Sequence, residues 1–560
     1  MTDKSLKESY FEKGKRNTTW SGIPLETSYG PDDIKGINYE EAIGNPGEYP
    51  FKRGIYEDMY RGRLWSRREI TGCSTPKLTN ERFKILLEEG ESAINMIGDQ
   101  PTMNNLDSDH PWAEGGVGRS GVPVCSINDM WAIMDGIPLN EVSTMLTLAT
   151  PVAFPSYLLL ADKLGIPYSE LRVTSFAHPP TTTAPVCLYG GRKRYDENVS
   201  VEQHECKARE FVDKLEFAAK HLPKAYPTNF NGYNIRETGV GPAEEVAWVF
   251  AGAFDAFQRL TERGVDIDLV APKVSFTFSS MIDLFEEVAK FRALRKIWAR
   301  TLKERFGAKD PRSMKLKYHT NTAGVMMERQ QAIINVVRGA YGALAAVLGG
   351  TQSLQIASYD EPIAIPTEKA ATIALRTQQI LAYETGVTGV ADPMGGSYYV
   401  ESLTSKLEDE IQSIIDTIED KGGLSAAVAS GYIDREMEKA WFKYQQEVED
   451  KERIVVGVND FIVPEEEDEE VASYHHEVDD ELVQRHIDSV MELKKTRDQA
   501  RARTALENLQ RVVETGEGNI VDSEKECCLA YCTTSEMNGV KRMVTGLPYD
   551  PLGVVDYPFK

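Results

Sequence analysis

The sequence predicts a TIM (β/α)8 barrel, and three observations predict it. Eight β-like runs occur between about residue 90 and residue 400. Long helical patterns separate them, as in a chain of βα units. One face of several runs carries small polar side chains: Ser143 and Thr147, Ser275 and Thr277, His319 and Asn321. A barrel interior is normally packed with Val, Ile and Leu. Alternating polar residues also arise where a strand face meets water, but an all-parallel barrel has no solvated inner face. A polar inner face therefore suits a barrel whose axis receives a polar, flexible ligand.

Residues 1–50 are polar, rich in Gly and Pro and weakly periodic, which predicts an extended N-terminal arm. The barrel is expected over 51–400. Its strands are AINMIG (93–98), STMLTLA (143–149), LRVTSF (171–176), NFNGYN (229–234), KVSFTF (273–278), LKYHTNT (316–322), TQSLQIA (351–357) and a weak GVTGVAD (386–392). Residues 281–307 read as a helix, with Leu284, Val288, Phe291, Ile297 and Trp298 near helical spacing and Gly307 as a stop. Residues 329–350 read as a second, ended by Gly349 and Gly350. From 401 to 560 the chain becomes helical and charged, with an acidic linker near 463–470. Residues 481–516 form a long polar helix or helix pair, expected to face solvent.

At 560 residues the chain is long enough for a large core. No apolar run reaches the ~18–20 residues of a membrane span, so no membrane partner is expected. A net charge of −24 argues against a nucleic-acid partner. The N-terminus has no apolar signal core. Seven cysteines make no disulfide scaffold, and a reducing cytoplasm is the simplest location. Cys527, Cys528 and Cys532 cluster, but their spacing fits no standard zinc pattern, and buried free thiols are expected.

Tyr49–Thr75 is dense in cations and aromatics within an acidic chain. Arg53, Arg61, Arg63, Arg67 and Arg68 alternate with Phe51, Tyr56, Tyr60 and Trp65. Composition alone fits a solvated surface segment. Guanidinium forks also suit phosphates, and aromatic faces suit a purine.

YPFKRGIYEDMY followed by RLWSRREITGCST resembles the N-terminal signature of the methylmalonyl-CoA mutase family, the adenosylcobalamin-dependent acyl-CoA mutases. HTNTAG (319–324), GGTQSLQIASYDEPIAIPT (349–367) and DPMGGSYYVE (392–401) extend the resemblance in order. It weakens between about 176 and 228. The resemblance implies a barrel threaded by the pantetheine arm of CoA. It implies a radical 1,2-migration of the thioester group, a carbon-skeleton isomerisation. It also implies CoA contacts at Tyr56, Met59, Arg63, Ser66, Arg68, Thr147, Lys273, Ser275, His319, Asn321 and Gln352. Lys273 stands at a usual Arg and Asn321 at a usual Gln. Glu361 matches the carboxylate that holds the adenosyl ribose, with Gln355 and Ala357 beside the cofactor.

Family members carry a cobalamin-binding domain with an Asp-x-His-x-x-Gly motif. None of the eight histidines here has Asp two residues before it. The resemblance is therefore to the large, substrate-binding subunit of a split mutase of the 2-hydroxyisobutyryl-CoA or isobutyryl-CoA type. A small cobalamin-binding subunit, in a heterodimer or heterotetramer, and a GTPase chaperone are the implied partners.

The acyl pocket departs from the family. Ile70 replaces the aromatic wedge, and Asn234 replaces a histidine beside the retained Tyr233. Ile97 falls where a hydroxyl-binding aspartate is expected, and Phe176 where a glutamine is expected. Val186 falls at the carboxylate-binding arginine, with Arg192, Lys193 and Arg194 nearby. These substitutions point to an uncharged branched acyl-CoA. A methylmalonyl-CoA mutase with a rearranged carboxylate site, and a CoA-binding homologue without catalysis, are the alternatives.

Overall fold

The computed structural model describes residues 18, 19, 21–148, 150–175, 201–363, 365–464 and 478–559. Among the described residues nine strands form two wholly parallel sheets. They are β1 (Ser66–Arg67), β2 (Ile70–Thr71), β3 (Ala93–Ile97), β4 (Ser143–Thr147), β5 (Val173–Ser175), β6 (Thr228–Asn231), β7 (Val274–Ser280), β8 (Tyr318–Thr322) and β9 (Ser353–Gln355). One sheet has the order β1-β9-β8-β7-β6 and the other β2-β3-β4-β5. The chain runs straight from β1 into β2, and the Arg68 N–H donates to Leu354 O between them. On the other side Thr174 and Tyr226 form a parallel bridge. Tyr226 N–H donates to Val173 O there, and Ser175 N–H donates to Tyr226 O. The architecture is α/β and TIM-barrel-like.

Seven of the eight expected strands are present, most of them trimmed at their ends, while β7 runs on to Ser280 and β6 begins at Thr228. The weak one is not present. Within 386–392 the chain makes a 3-10 turn, Val387–Gly389. Two short strands that were not expected, β1 and β2, lie in SRREIT (66–71), inside the Arg-rich segment. Their charges hid them. Arg68 points into the interior, where Ser353 and Ser143 accept its hydrogen bonds. Glu69 is buried on the other face, beside Gln378 and Glu91.

Alternation sets two faces on each strand. Outward-facing Ile94, Met96, Leu146 and Val173 join one apolar core with Phe83, Phe154 and Leu158. Outward-facing Phe230, Phe276, Phe278, Tyr318 and Leu354 join the other with Trp248, Phe250 and Trp298. Phe276 stacks on Phe230 and Phe278 and meets the Trp298 edge at 4.9 Å.

The helix expected over 281–307 spans Leu284–Glu304 and buries Val288, Phe291, Leu294, Ile297 and Trp298. Residues 329–350 divide into a 3-10 turn, Ala332–Ile334, and a helix, Asn335–Leu348. The polar stretch 481–516 is a helix pair, Asp480–Thr496 and Gln499–Thr515. The first is mostly exposed, with only His486 and Val490 buried. The second corrects the expectation of a solvent-facing appendage. Ala502, Leu506, Leu509 and Val512 are buried. Ala502, Leu506 and Leu509 join the core behind β3 and β4. Its apolar stripe was disguised by the Arg and Glu residues between. Cys527, Cys528 and Cys532 are free thiols buried in that core. The acidic linker beyond 464 lies outside the described residues. Among the described residues no helix is long and apolar enough to cross a membrane.

A buried ion network fastens the segment before β1 to the helical layer. Arg292 binds Asp392 and Glu401. Lys52 Nζ lies 3.1 Å from Glu401, and Arg53 Nε 3.1 Å from Asp392. Arg295 donates to the carbonyls of Phe51 and Lys52 at 2.9 and 2.6 Å. Removing one member of a buried network strands its partners in low dielectric. Arg292→Ala should cost about 3–5 kcal/mol in denaturant unfolding. An Arg292→Met/Glu401→Gln chain, which leaves Arg53 paired with Asp392 and Lys52 with Glu408, should recover much of that loss. Equal losses in both would show that volume, not charge pairing, matters there.

Candidate active site: a polar cavity with two unlike ends

The inner faces meet along the axis, and few of their side chains are aliphatic. Ser66, Arg68, Ser143, Met145, Thr174, Asn229, Ser275, His319 and Ser353 line a cavity of about 480 Å³. The strands order its contents. Arg68 Nε donates to Ser353 Oγ at 2.9 Å, and its Nη2 to Ser143 Oγ at 2.8 Å, so one guanidinium joins β9 to β4. His319 Nδ1 lies 2.8 Å from Ser353 Oγ. Asn229 donates to Ser275 Oγ at 3.0 Å and accepts from Thr277 Oγ1 at 2.9 Å. Burial first, then the Arg68 charge, holds the His319 imidazole down to about 3, so it is neutral at physiological pH. Ser279 Oγ, His319 Nε2 and Asn321 Oδ1 are buried with no hydrogen-bond partner among the described residues. Such atoms each cost about 1–3 kcal/mol unless a ligand or water pairs them.

The cavity opens at the N-terminal ends of the strands, where Tyr56, Met59, Arg63, Arg172, Lys224, Lys317 and Gln352 line it. Arg63, Arg172 and Lys224 are exposed. Lys317 Nζ donates to Tyr226 Oη at 2.9 Å. Lys273 stands beside this rim and donates to the carbonyls of Leu222 and Pro223 at 3.0 and 2.8 Å. Burial, then Lys317 and Arg312, lower its ammonium to about 8. Eight of the eleven expected CoA residues line the cavity: Tyr56, Met59, Arg63, Ser66, Arg68, Ser275, His319 and Gln352. Thr147 lies deeper and donates to Asn95 Oδ1 at 2.6 Å. Asn321 also lies deeper, paired in register with Gln355.

Arg172, Lys224 and Lys317 were missed. A signal for two of them was present: a cation directly precedes three strands, at Arg172, Lys273 and Lys317. In a parallel barrel those positions share one rim.

The other end is acidic and aromatic. Tyr233 and Asn234 open the short helix Tyr233–Arg236 after β6. Ile70 closes the inner face of β2, and Ile97 that of β3. Ala357 follows β9, where its N–H donates to Thr322 Oγ1 at 2.8 Å. Tyr233, Glu237 and Glu361 converge on Gly324. A Cβ there would stand 3.1 Å from the Tyr233 hydroxyl, 3.1 Å from Glu237 and 3.0 Å from Glu361. The Gly324 N–H donates to Glu237 Oε1 at 2.9 Å. Burial, then the Glu361 charge, push Glu237 up to about 8. Burial, then Asp360, push Glu361 up to about 7. Burial, then Glu237 and Glu361, push the Tyr233 phenol well up. Glu237 was not foreseen, because nothing in NIRE marks it. Phe176, Val186 and the cations at 192–194 lie outside the described residues.

The chain has clear relatives. A family model described as methylmalonyl-CoA mutase matches residues 18–547. The 2-hydroxyisobutanoyl-CoA mutase large subunit of Aquincola tertiaricarbonis is 36% identical over 529 residues, 94% of this chain and 91% of that one. The methylmalonyl-CoA mutase of Cereibacter sphaeroides is 33% identical over 552 residues, 98% of this chain and 75% of that one. The mitochondrial methylmalonyl-CoA mutase of Homo sapiens is 32% identical over 531 residues, 94% of this chain and 68% of that one. A polar axis between a cationic rim and an acidic cluster thus occurs in a chain aligned almost throughout with mutases, and the chain belongs to the methylmalonyl-CoA mutase family, an isomerase by class.

Proposed function

We propose that the chain is the substrate-binding subunit of an adenosylcobalamin-dependent acyl-CoA mutase acting on a branched acyl group other than methylmalonyl. The carrying observation is the polar axis with its unpaired Ser279, His319 and Asn321 atoms, open to a cationic rim. We infer that the two sheets close as one eight-stranded barrel, with 66–71 as the shared strand. The nucleotide phosphates of CoA meet Arg63, Arg172, Lys224, Lys273 and Lys317 at the rim. The pantetheine amides run between Ser275, His319, Asn321 and Gln352. Three regions carry the work: the arm 1–50, the barrel 51–400 and the helical region 401–560.

The residues at the far end fit the adenosyl group. Glu361, Gln355 and Ala357 would hold it, with Glu237 beside them, and Gly324 keeps the space between open. Adenosylcobalamin, when bound, supplies the radical that takes a hydrogen atom from the substrate. This chain orients the thioester and excludes water. Tyr233 and Asn234 stand over it. Asn234 donates one hydrogen bond to the thioester carbonyl and, unlike a histidine, cannot pass a proton. The resemblance to a protein named a large subunit supports a small cobalamin-binding partner, in a heterodimer or heterotetramer, loaded by a GTPase chaperone. The unpaired thiols at the five described cysteines suit a reducing cytoplasm.

Apolar Ile70 and Ile97 at the acyl end carry the substrate reading. A buried unpaired carboxylate would cost several kcal/mol beside them. Retained Glu361 supports catalysis over mere CoA binding.

On the enzyme reconstituted with adenosylcobalamin and a small subunit, kcat/KM for isobutyryl- or pivalyl-CoA should exceed that for methylmalonyl-CoA. Ile70→Tyr should lower turnover of the bulkier ester by filling its space. A methylmalonyl-CoA preference would favour the rearranged carboxylate site, with a cation from 192–194 reaching the pocket.

At the rim, Arg63→Ala and Lys317→Ala should each weaken CoA-ester binding by about 5–10-fold in calorimetry, roughly 1–1.4 kcal/mol. The loss should shrink as salt rises. Unchanged affinity in both would place the phosphates elsewhere.

Glu237 gives a pH test. Its folded value is about 8, above an ordinary value of 4.5. The unfolded chain therefore loses this proton first, and stability falls as pH rises from about 4.5 to 8. Glu237→Gln should remove that slope, gaining on wild type by on the order of a few kcal/mol between those limits. Parallel slopes in the two proteins would mean that Glu237 is ionised throughout.

A further inference from the structure

Away from the axis, Cys125, Asp129 and His486 form a buried group that the mutase reaction does not use. One ligand atom from each lies within 4.8 Å of the others. Cys125 and Asp129 flank the start of the helix Ile127–Ile133, and His486 arrives on the helix Asp480–Thr496.

Each side chain is held with one donor atom turned inward. Asp129 Oδ2 accepts from the N–H groups of Cys125 and Ser126 at 2.9 and 2.8 Å, and from the Ser126 hydroxyl at 3.3 Å. Asp129 Oδ1 faces His486 Nδ1 at 3.7 Å, too far for a hydrogen bond. The opposite ring nitrogen, His486 Nε2, lies 3.1 Å from Ser108 Oγ. The Ser108 N–H donates to Cys125 Sγ at 3.2 Å, and the Ser108 hydroxyl is also 3.2 Å from that sulfur.

This geometry suits an ion better than a hydrogen-bonded triad. N and O ligands about 2.0–2.2 Å from a tetrahedral zinc ion stand roughly 3.3–3.5 Å apart. The Asp129–His486 gap of 3.7 Å needs only a small contraction to match. Zinc-bound imidazoles have their remote nitrogen held by a polar group, as Ser108 holds His486 Nε2. A backbone N–H to sulfur favours a thiolate. Thiolate, imidazole and carboxylate together select zinc-class ions over magnesium or calcium.

We propose that Cys125, Asp129 and His486 bind one divalent ion of the zinc class, and that the ion pins the helix Asp480–Thr496 to the segment after β3. The helix has few other anchors. It buries only His486 and Val490, and Lys494 pairs with Asp107 and Asp109 at 2.9 and 2.7 Å.

The test uses the full chain, stripped with a chelator and titrated with Zn²⁺ or Co²⁺. One equivalent should raise Tm by several degrees, and Co²⁺ should develop a thiolate-to-metal charge-transfer band. Cys125→Ser and His486→Gln should each abolish the band. Cys532→Ser, in the separate buried thiol cluster, should keep it. CoA-ester binding, measured in parallel, establishes that each variant is folded. Absence of both band and Tm shift in the folded wild type would overturn the proposal. A band that survives Cys125→Ser would also overturn it.

Discussion

Two parallel sheets whose inner faces are lined with Ser, Thr and Asn cannot be held together from within. This constraint governs the rest of the structure. The apolar interior of an ordinary parallel barrel is replaced in this barrel-like fold by hydroxyls and amides at Ser143, Thr277, Asn229 and Ser353. Their net hydrogen-bond contribution is small, because each had water to bond in the unfolded chain. Stability must come from the outer faces. There the rings of Phe230, Phe276 and Phe278 pack on Trp248, Phe250 and Trp298. On the other side β3 and β4 rest on helices that include Gln499–Thr515 from the C-terminal region. The C-terminal helices are thus part of the second core. The ion network through Lys52, Arg53, Arg292, Asp392 and Glu401 holds the Arg-rich segment in place. That segment then supplies both a strand and one wall of the mouth.

The same constraint makes the two ends of the axis unlike. Arg63, Arg172, Lys224 and Lys317 stand around the mouth. At the far end Glu237 and Glu361 share one small space with Tyr233; burial, with the Glu361 charge acting on Glu237 and the Asp360 charge on Glu361, keeps protons on them longer. Positive charge at the entrance and carboxyls inside suit a ligand whose phosphates remain outside.

Much of this was legible before any coordinates. Period-two alternation marked seven strands, because each has aromatic or aliphatic residues on the helix-facing side. The polar inner face at Ser143, Thr277 and His319 was visible for the same reason. The strand 66–71 was not, since Arg68 and Glu69 obey no hydrophobic pattern and are satisfied only by partners distant in sequence, at Ser353 and Gln378. GVTGVAD alternates well enough to look like a strand, yet its glycines and the buried Asp392 serve a turn. Glu237 could not be singled out, because its significance is spatial: it meets Glu361 only through Gly324. Cys125 and His486 likewise carry no spacing signal, being joined by a helix that returns from far along the chain.

The most direct measurement is a structure of the full chain with a non-reactive straight-chain acyl-CoA ester. The account predicts ligand density along the axis. The nucleotide should lie at the rim of Arg63, Lys224 and Lys317, and the acyl group between Ile70, Ile97 and Tyr233. An ester bound across the loops at the C-terminal ends of the strands, with the axis closed by the Arg68–Ser353–Ser143 bonds, would contradict it.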